Sequence, residues 1–213
     1  MVDYLNTPQG RSIAYSYFSG SSPAVVFLGG FMSDMEGSKA TFLEDWVRSE
    51  GRAFLRFDYS GHGVSSGEFV DGAIGDWAED ALSIIEAKIE GPVVLVGSSM
   101  GGWISLLVSK QLGERVAGFV GIAAAPDFTE DGFWASFSEE ERSALMQEGR
   151  VDVPSDYGSP YPITRRLIEE GRAQLVLRSP LSLECPVRLL QGSEDASVAR
   201  ATALRLFDHI EAT

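Results

Sequence analysis

Cysteine is nearly absent from this 213-residue chain, histidine is scarce, and positive charge is in short supply. The single cysteine, Cys185, cannot close an internal disulfide. That agrees with a reducing compartment such as the cytoplasm, and the residue reads as a small buried side chain at a strand start. The only histidines are His62 and His209, so no Cys/His cluster has metal-ligand spacing, and neither a metal nor another cofactor is expected. With 17 Lys and Arg against 31 Asp and Glu, the net charge is −14. Nucleic-acid phosphates and anionic membranes both need cations that this surface lacks, so neither is an expected partner. No apolar run approaches the roughly 18 residues of a membrane span. Met1-Val2-Asp3-Tyr4 has no basic stretch leading into an apolar one, so no secretory signal is expected, nor an Arg-rich transit segment.

The sequence does contain a rhythm of short apolar strands and helical runs. Met1–Leu5 and Ser12–Tyr17 flank Asn6-Thr7-Pro8-Gln9-Gly10 and read as an antiparallel hairpin. Apolar strands follow at Ala24–Leu28, Ala53–Phe57, Val93–Val96, Val116–Ile122, Leu175–Leu177 and Val187–Leu190. Helical spacing covers Ala40–Ser49, Trp77–Ile89, Ile104–Leu112 and about Ala199–Ile210. Strands apolar on both faces and alternating with helices predict one α/β domain over 1–213, with a mostly parallel sheet covered on both sides. From Phe128 to Gly171 the rhythm breaks into a segment rich in acid, aromatics and proline, including Phe133, Trp134, Phe137, Tyr157 and Tyr161. This predicts a helical cap inserted over the carboxyl edge of the sheet, with a capped helix start at Ser138-Glu139-Glu140-Glu141.

The most informative stretch is Val93-Val94-Leu95-Val96-Gly97-Ser98-Ser99-Met100-Gly101-Gly102-Trp103. An apolar strand running through Gly-x-Ser-x-Gly into a helix holds a serine hydroxyl out on a sharp bend, where it can act as a nucleophile. Ser99 is the candidate. A second copy, Gly63-Val64-Ser65-Ser66-Gly67, has neither a strand running directly into it nor a helix after it, so context favours Ser99. Acyl transfer at such a serine needs two amide donors for the developing oxyanion. Met100 N–H follows the serine, and Phe31 N–H follows Gly29-Gly30 at the end of the Ala24–Leu28 strand. A carboxylate is needed after a later strand. Asp195 in Gly192-Ser193-Glu194-Asp195 is the candidate, with Glu194 and Asp127 as rivals.

Taken together, Phe27-Leu28-Gly29-Gly30-Phe31, Arg56–Gly63, Gly97–Trp103 and Gly192-x-x-Asp195-x-x-Val198 resemble the α/β-hydrolase superfamily. Within it, the chain is similar to the group of mitochondrial palmitoyl-protein thioesterases, or acyl-glucuronide esterases, and their bacterial relatives. The resemblance implies an α/β-hydrolase fold and a small acyl ester or thioester substrate. It also implies Ser99 as nucleophile, Asp195 as acid, and Phe31 and Met100 as oxyanion donors. One departure is Ala199, where such proteins often carry proline.

The order Ser, acid, His leaves the base unassigned. His62 lies upstream in a turn, and His209 follows Asp195 by only 14 positions at the end of a helix. A loop, a helix, a strand and a further turn after Asp195 require roughly 25–30 residues. The expectation is therefore that the natural C-terminus, with the last strand and the base, lies beyond Thr213. The contrasting expectation is a fold that binds a small apolar ligand in the same pocket without catalysis.

Overall fold

The computed structural model describes residues 2–155 and 160–212. Its centre is a seven-stranded sheet in the order β1-β2-β4-β3-β5-β6-β10. Strands β1 (Asp3–Asn6) and β2 (Ser12–Phe18) form the expected antiparallel hairpin. The remaining strands are parallel to one another: β3 (Ser21–Leu28), β4 (Arg52–Phe57), β5 (Val93–Ser98), β6 (Val116–Ile122) and β10 (Val187–Leu190).

Helices cover both faces because the strands present apolar side chains on both. On one face, α1 (Ser38–Ser49) lays Ala40 and Val47 over Val25, Phe27, Phe54 and Val96. On the other, α2 (Ile74–Lys88) and α3 (Met100–Leu112) bury Trp77 and Trp103 completely against Val26, Leu28, Leu55 and Leu95. Burying side chains of this size contributes roughly 1.5–3 kcal/mol each.

After β6 the chain leaves the sheet. A turn of π-type helix (Phe128–Trp134) leads to α4 (Glu139–Glu148). The expected cap is present there: Ser138 Oγ accepts from Glu141 N–H at 3.2 Å, and the Glu141 carboxylate accepts from Ser138 N–H at 2.8 Å. The segment also contains something its composition did not announce, an antiparallel ribbon of β7 (Arg150–Val153) and β8 (Tyr161–Thr164). Helix α5 (Arg165–Gly171) follows, capped by Thr164 Oγ1 on Leu167 N–H at 3.0 Å. Tyr157 of the predicted aromatic set lies outside the described residues.

One expectation needs correction. Leu175–Leu177 is not a strand: Val176 N–H and Leu177 N–H donate to the buried Asp127 carboxylate at 2.8 and 3.0 Å, so neither amide is left for a ladder. Helix α6 spans Arg200–His209. Ile210–Ala212 forms a short strand, β11, parallel to β9 (Leu181–Leu183) in a separate two-stranded sheet. Among the described residues, β10 is the outer strand of the main sheet on that side.

Candidate active site

Strand β5 ends at Ser98 and α3 begins at Met100, which leaves Ser99 alone to make the bend. Its backbone sits at φ 51°, ψ −116°, a region that residues with a β-carbon rarely occupy and that costs on the order of 1–3 kcal/mol. The surroundings hold it there. Ser99 N–H donates to Ile122 O at 3.0 Å, and Ser99 O accepts from Gly102 and Ala125 N–H at 2.9 and 3.0 Å. The flanking glycines permit the close approach of strand and helix. A β-carbon on Gly97 would lie 2.3 Å from Gly101 O, and one on Gly101 would lie 2.1 Å from Leu28 O. The serine side chain is left half-buried at the carboxyl edge of the sheet.

The loop after β3 lies against this bend. A β-carbon built on Gly30 would be 3.5 Å from Ser99 Cβ. Among the described residues, neither Phe31 N–H nor Met100 N–H donates to a protein acceptor. Met100 N–H is one of the unpaired amides that open a helix, where the dipole favours negative charge.

The same loop is held from β4 at three points. Asp58 accepts from Met35 N–H at 2.6 Å, Arg56 donates to Met35 O at 2.7 Å, and Tyr59 Oη donates to Gly29 O at 3.4 Å. Burial pushes the Asp58 carboxyl pKa up, against the pull of its amide donors. These supports are carried by the Arg56–Gly63 motif. Their role in holding the Gly30 loop was not legible in the sequence, because the contact runs between two strands about 30 residues apart.

Next along the chain from Gly30, the Phe31 ring is a meeting point of aromatics. Its centroid lies 4.9 Å from Phe69, 5.4 Å from Phe128 and Tyr161, 6.0 Å from Phe133 and 6.1 Å from Trp77. Phe128 in turn meets Trp103 of α3 at 5.6 Å. Phe133 and Tyr161 belong to the aromatic segment expected over the sheet edge, which Phe128 opens. Phe69 and Trp77 were not expected there, since a loop residue and a helix residue carry no signal of a shared cluster.

Asp195 follows β10 on the same sheet edge, two strands along from β5. Its Oδ1 accepts from Ser197 and Val198 N–H at 3.0 and 2.9 Å, which shapes its own loop. The structure brings Ser99, Met100 and the Gly30-Phe31 loop together, and it gives Asp195 no contact with Ser99. Of the rivals, Glu194 is exposed, whereas Asp127 is fully buried and bonded to Val176, Leu177 and Arg178 as an anchor for that loop. Ala199 precedes α6 at φ −60°, a value proline would also adopt.

Neither histidine stands beside the serine. His62 is buried among Tyr59, Phe69 and Trp77, and its Nδ1 donates to Ser60 O at 3.1 Å. Burial lowers its pKa to about 4, and the Ser60 carbonyl only partly offsets this, so the ring is neutral and its Nε2 is unpaired. His209 ends α6 with Nε2 2.6 Å from Ser179 O.

Surface grooves of about 450 and 520 Å³ lie elsewhere. One runs beside Asp71, Arg165 and Arg166, the other between α2 and α3 beside Glu79 and Lys110. Their walls mix charged and apolar side chains and include none of the residues around Ser99.

The sequence profile of the alpha/beta hydrolase family matches residues 25–210. The chain belongs to the alpha/beta hydrolase family. It is 37% identical over 211 residues to the mitochondrial palmitoyl-protein thioesterase ABHD10 of Rattus norvegicus, covering 98% of this chain and 71% of that protein. Among solved structures, a protein provisionally named a hydrolase, from Agrobacterium vitis S4, superposes with a TM-score of 0.95 at 39% identity. That match covers 99% of this chain and 86% of the other. Mouse alpha/beta hydrolase domain-containing protein 10 gives 0.91 at 35% identity, covering 100% and 85%. Est1E of Butyrivibrio proteoclasticus, solved with ferulic acid, shares the fold at a TM-score of 0.82 and 16% identity.

Proposed function

We propose that this alpha/beta hydrolase cleaves small acyl esters or thioesters through an acyl-enzyme on Ser99. The observation that carries the reading is the strained Ser99 backbone, next to the Met100 amide and the Gly30-Phe31 loop, with neither the Phe31 nor the Met100 N–H given to an acceptor among the described residues. Backbone strain of this kind persists only where the surroundings enforce it, and it concentrates at functional sites. Attack of Ser99 Oγ on the substrate carbonyl forms a tetrahedral centre, and Phe31 and Met100 N–H stabilise its oxygen. Each such donor is worth about 10²–10³ in rate. Collapse of that centre expels the alcohol or thiol, and water then releases the acid. Asp195, on the same sheet edge, is the proposed acid partner of the base. A relative named as a palmitoyl-protein thioesterase supports an acyl substrate, with thioesters considered as well as esters. The one cysteine is buried, which supports work in a reducing compartment such as the cytoplasm.

A second reading has its own observation: neither histidine contacts Ser99 or Asp195. A serine without a proton acceptor is a weak nucleophile, and the same pocket would then bind a small apolar ligand. Labelling with a fluorophosphonate separates the two. Covalent modification of the protein that disappears in Ser99→Ala is expected for the hydrolase. Failure to label the folded chain, together with no turnover of p-nitrophenyl acetate or an acetyl thioester, would establish the binder instead.

A further inference from the structure

The loop after β3 holds a strain of its own. Ser33 N–H donates to Gly30 O at 3.2 Å and closes a four-residue turn, whose third residue, Met32, sits at φ 54°. That position normally falls to glycine or asparagine, because a β-carbon is crowded there. Among the described residues, those other than glycine at positive φ are Met32, Ser99, Ala123 and Asp127. All four follow β3, β5 or β6 at the carboxyl edge of the sheet, so the strain gathers around the bend. It persists only where the surroundings enforce it. Here the turn is pinned on both sides. Tyr59 Oη holds Gly29 O at 3.4 Å, and Asp58 and Arg56 hold the Met35 backbone at 2.6 and 2.7 Å.

What the turn accomplishes is visible at Gly30. The point that a β-carbon on Gly30 would occupy lies 3.3 Å from Ser33 Oγ, 3.5 Å from Ser99 Cβ and 3.6 Å from Ser98 O. The side chains of Ser33 and Ser99 therefore border one atom-sized space, which carries no side chain because residue 30 is glycine. Ser33 is exposed to solvent, and no acceptor among the described residues takes its hydroxyl hydrogen.

We propose that Ser33 is a further catalytic residue: its hydroxyl donates a hydrogen bond to the acyl carbonyl oxygen of a substrate at Ser99, as a third donor beside the Phe31 and Met100 amides. When Ser99 Oγ adds to the carbonyl carbon, the C=O electron pair moves onto that oxygen. The Ser33 hydrogen bond then strengthens, and its proton stays on Ser33. A hydroxyl carried on a pinned turn is in place before the charge develops, which is what makes such a donor effective. The catalytic part rests on the Ser99 reading, whereas the contact between Ser33 and a bound carbonyl or carboxylate oxygen does not.

The test uses the full chain and its Ser33→Ala and Ser33→Thr variants. Both keep the backbone bond that closes the turn, so their melting temperatures should match that of the wild type. The kcat for p-nitrophenyl acetate should fall about tenfold in Ser33→Ala while KM stays within about twofold, because the bond gains strength only as charge develops. Such a loss is smaller than that of an enclosed donor, since water takes the place of an exposed one. Ser33→Thr restores a hydroxyl and should bring kcat back to within about threefold of the wild type. An unchanged kcat in Ser33→Ala, or an equal loss in both variants, overturns the proposal. A wild type that turns over no ester and takes no fluorophosphonate label removes the Ser99 reading, and titration with butyrate then decides the contact. Affinity lowered about tenfold in Ser33→Ala and kept in Ser33→Thr supports the Ser33 hydrogen bond and removes only its catalytic role. Equal affinity in all three proteins, or no binding, overturns it.

Discussion

The chain holds the pentapeptide Gly-x-Ser-x-Gly twice, and the two copies have opposite fates. In the copy at 97–101 the serine stands between a strand and a helix on a strained backbone, half-buried and facing the Gly30-Phe31 loop. In the copy at 63–67 the serine hydroxyl is consumed by the backbone: Ser65 Oγ accepts from Ala14 N–H at 2.8 Å and donates to Asp58 O at 2.7 Å. Ser66 Oγ likewise accepts from Ser12 N–H at 2.8 Å. The second copy is a clamp. It grips Asp58, whose carboxylate takes Val64 N–H at 3.0 Å on one oxygen and Met35 N–H on the other. Met35 belongs to the loop that carries Phe31, so the clamp steadies the site that the first copy forms. Five residues of identical pattern thus form a strained strand-helix bend in one place and a hydrogen-bonded support in another, and the difference lies in what precedes and follows them.

The comparison can be broken most sharply by exchanging the serines for alanine. Ser99→Ala is expected to lower fluorophosphonate labelling by about 10³-fold or more while the protein stays folded, because the proposed nucleophile is gone. Ser65→Ala should retain labelling and instead lose about 1 kcal/mol of stability in a urea melt, the net worth of one hydrogen bond. Labelling lost equally in both variants would end the distinction.

Glycine substitutions sharpen it next. Gly101→Ala forces a β-carbon to within 2.1 Å of Leu28 O, a backbone atom that cannot swing aside. Overpacking typically costs 1–3 kcal/mol, and with a rigid neighbour a loss of about 3 kcal/mol is expected in denaturant unfolding. Gly67 has space around it, its closest neighbour being Gly61 N at 3.7 Å, but it sits at φ +93°. Gly67→Ala should therefore cost only about 1 kcal/mol, the penalty of a left-handed backbone. Equal losses at the two positions would show that close packing is not what the first copy requires.

A pH series probes the clamp side. The His62 pKa falls to about 4 in the folded chain, against 6.5 for an ordinary histidine. Between these values the unfolded chain binds the extra proton, so stability should drop as pH falls from 6.5 toward 4 and stay level above 6.5. The drop is about 3 kcal/mol at most. Comparison with His62→Gln isolates this contribution from that of Asp58, whose raised pKa acts in the opposite sense. A wild-type profile parallel to that of His62→Gln would mean that His62 is not buried as a neutral ring.

Much of the fold was legible because parallel strands announce themselves as continuous apolar runs, and α3, α4 and α6 as helical spacing with clear starts. The bend at Ser99 was legible for the same reason: strand, Gly-x-Ser-x-Gly and helix are contiguous, and contiguous patterns obey local sterics. Leu175–Leu177 misled because three apolar residues cannot reveal that their amides are taken by Asp127, a partner nearly 50 residues away. The ribbon of β7 and β8 was missed because Arg150-Val151-Asp152-Val153, though it alternates, is only four residues long, and Pro162 argues against a strand in its partner.

By itself, the order of residues determined the strand-helix rhythm, the bend at residue 99 and the acidic, cation-poor surface, all of which depend on neighbours along the chain. Only the tertiary structure decided that Ser65 is spent on hydrogen bonds, that Asp58 steadies the Gly30-Phe31 loop, and that five aromatic rings converge on Phe31. Those outcomes depend on which surfaces meet when the sheet closes, and burial then leaves each polar atom to be paired by whatever partner has been brought within reach.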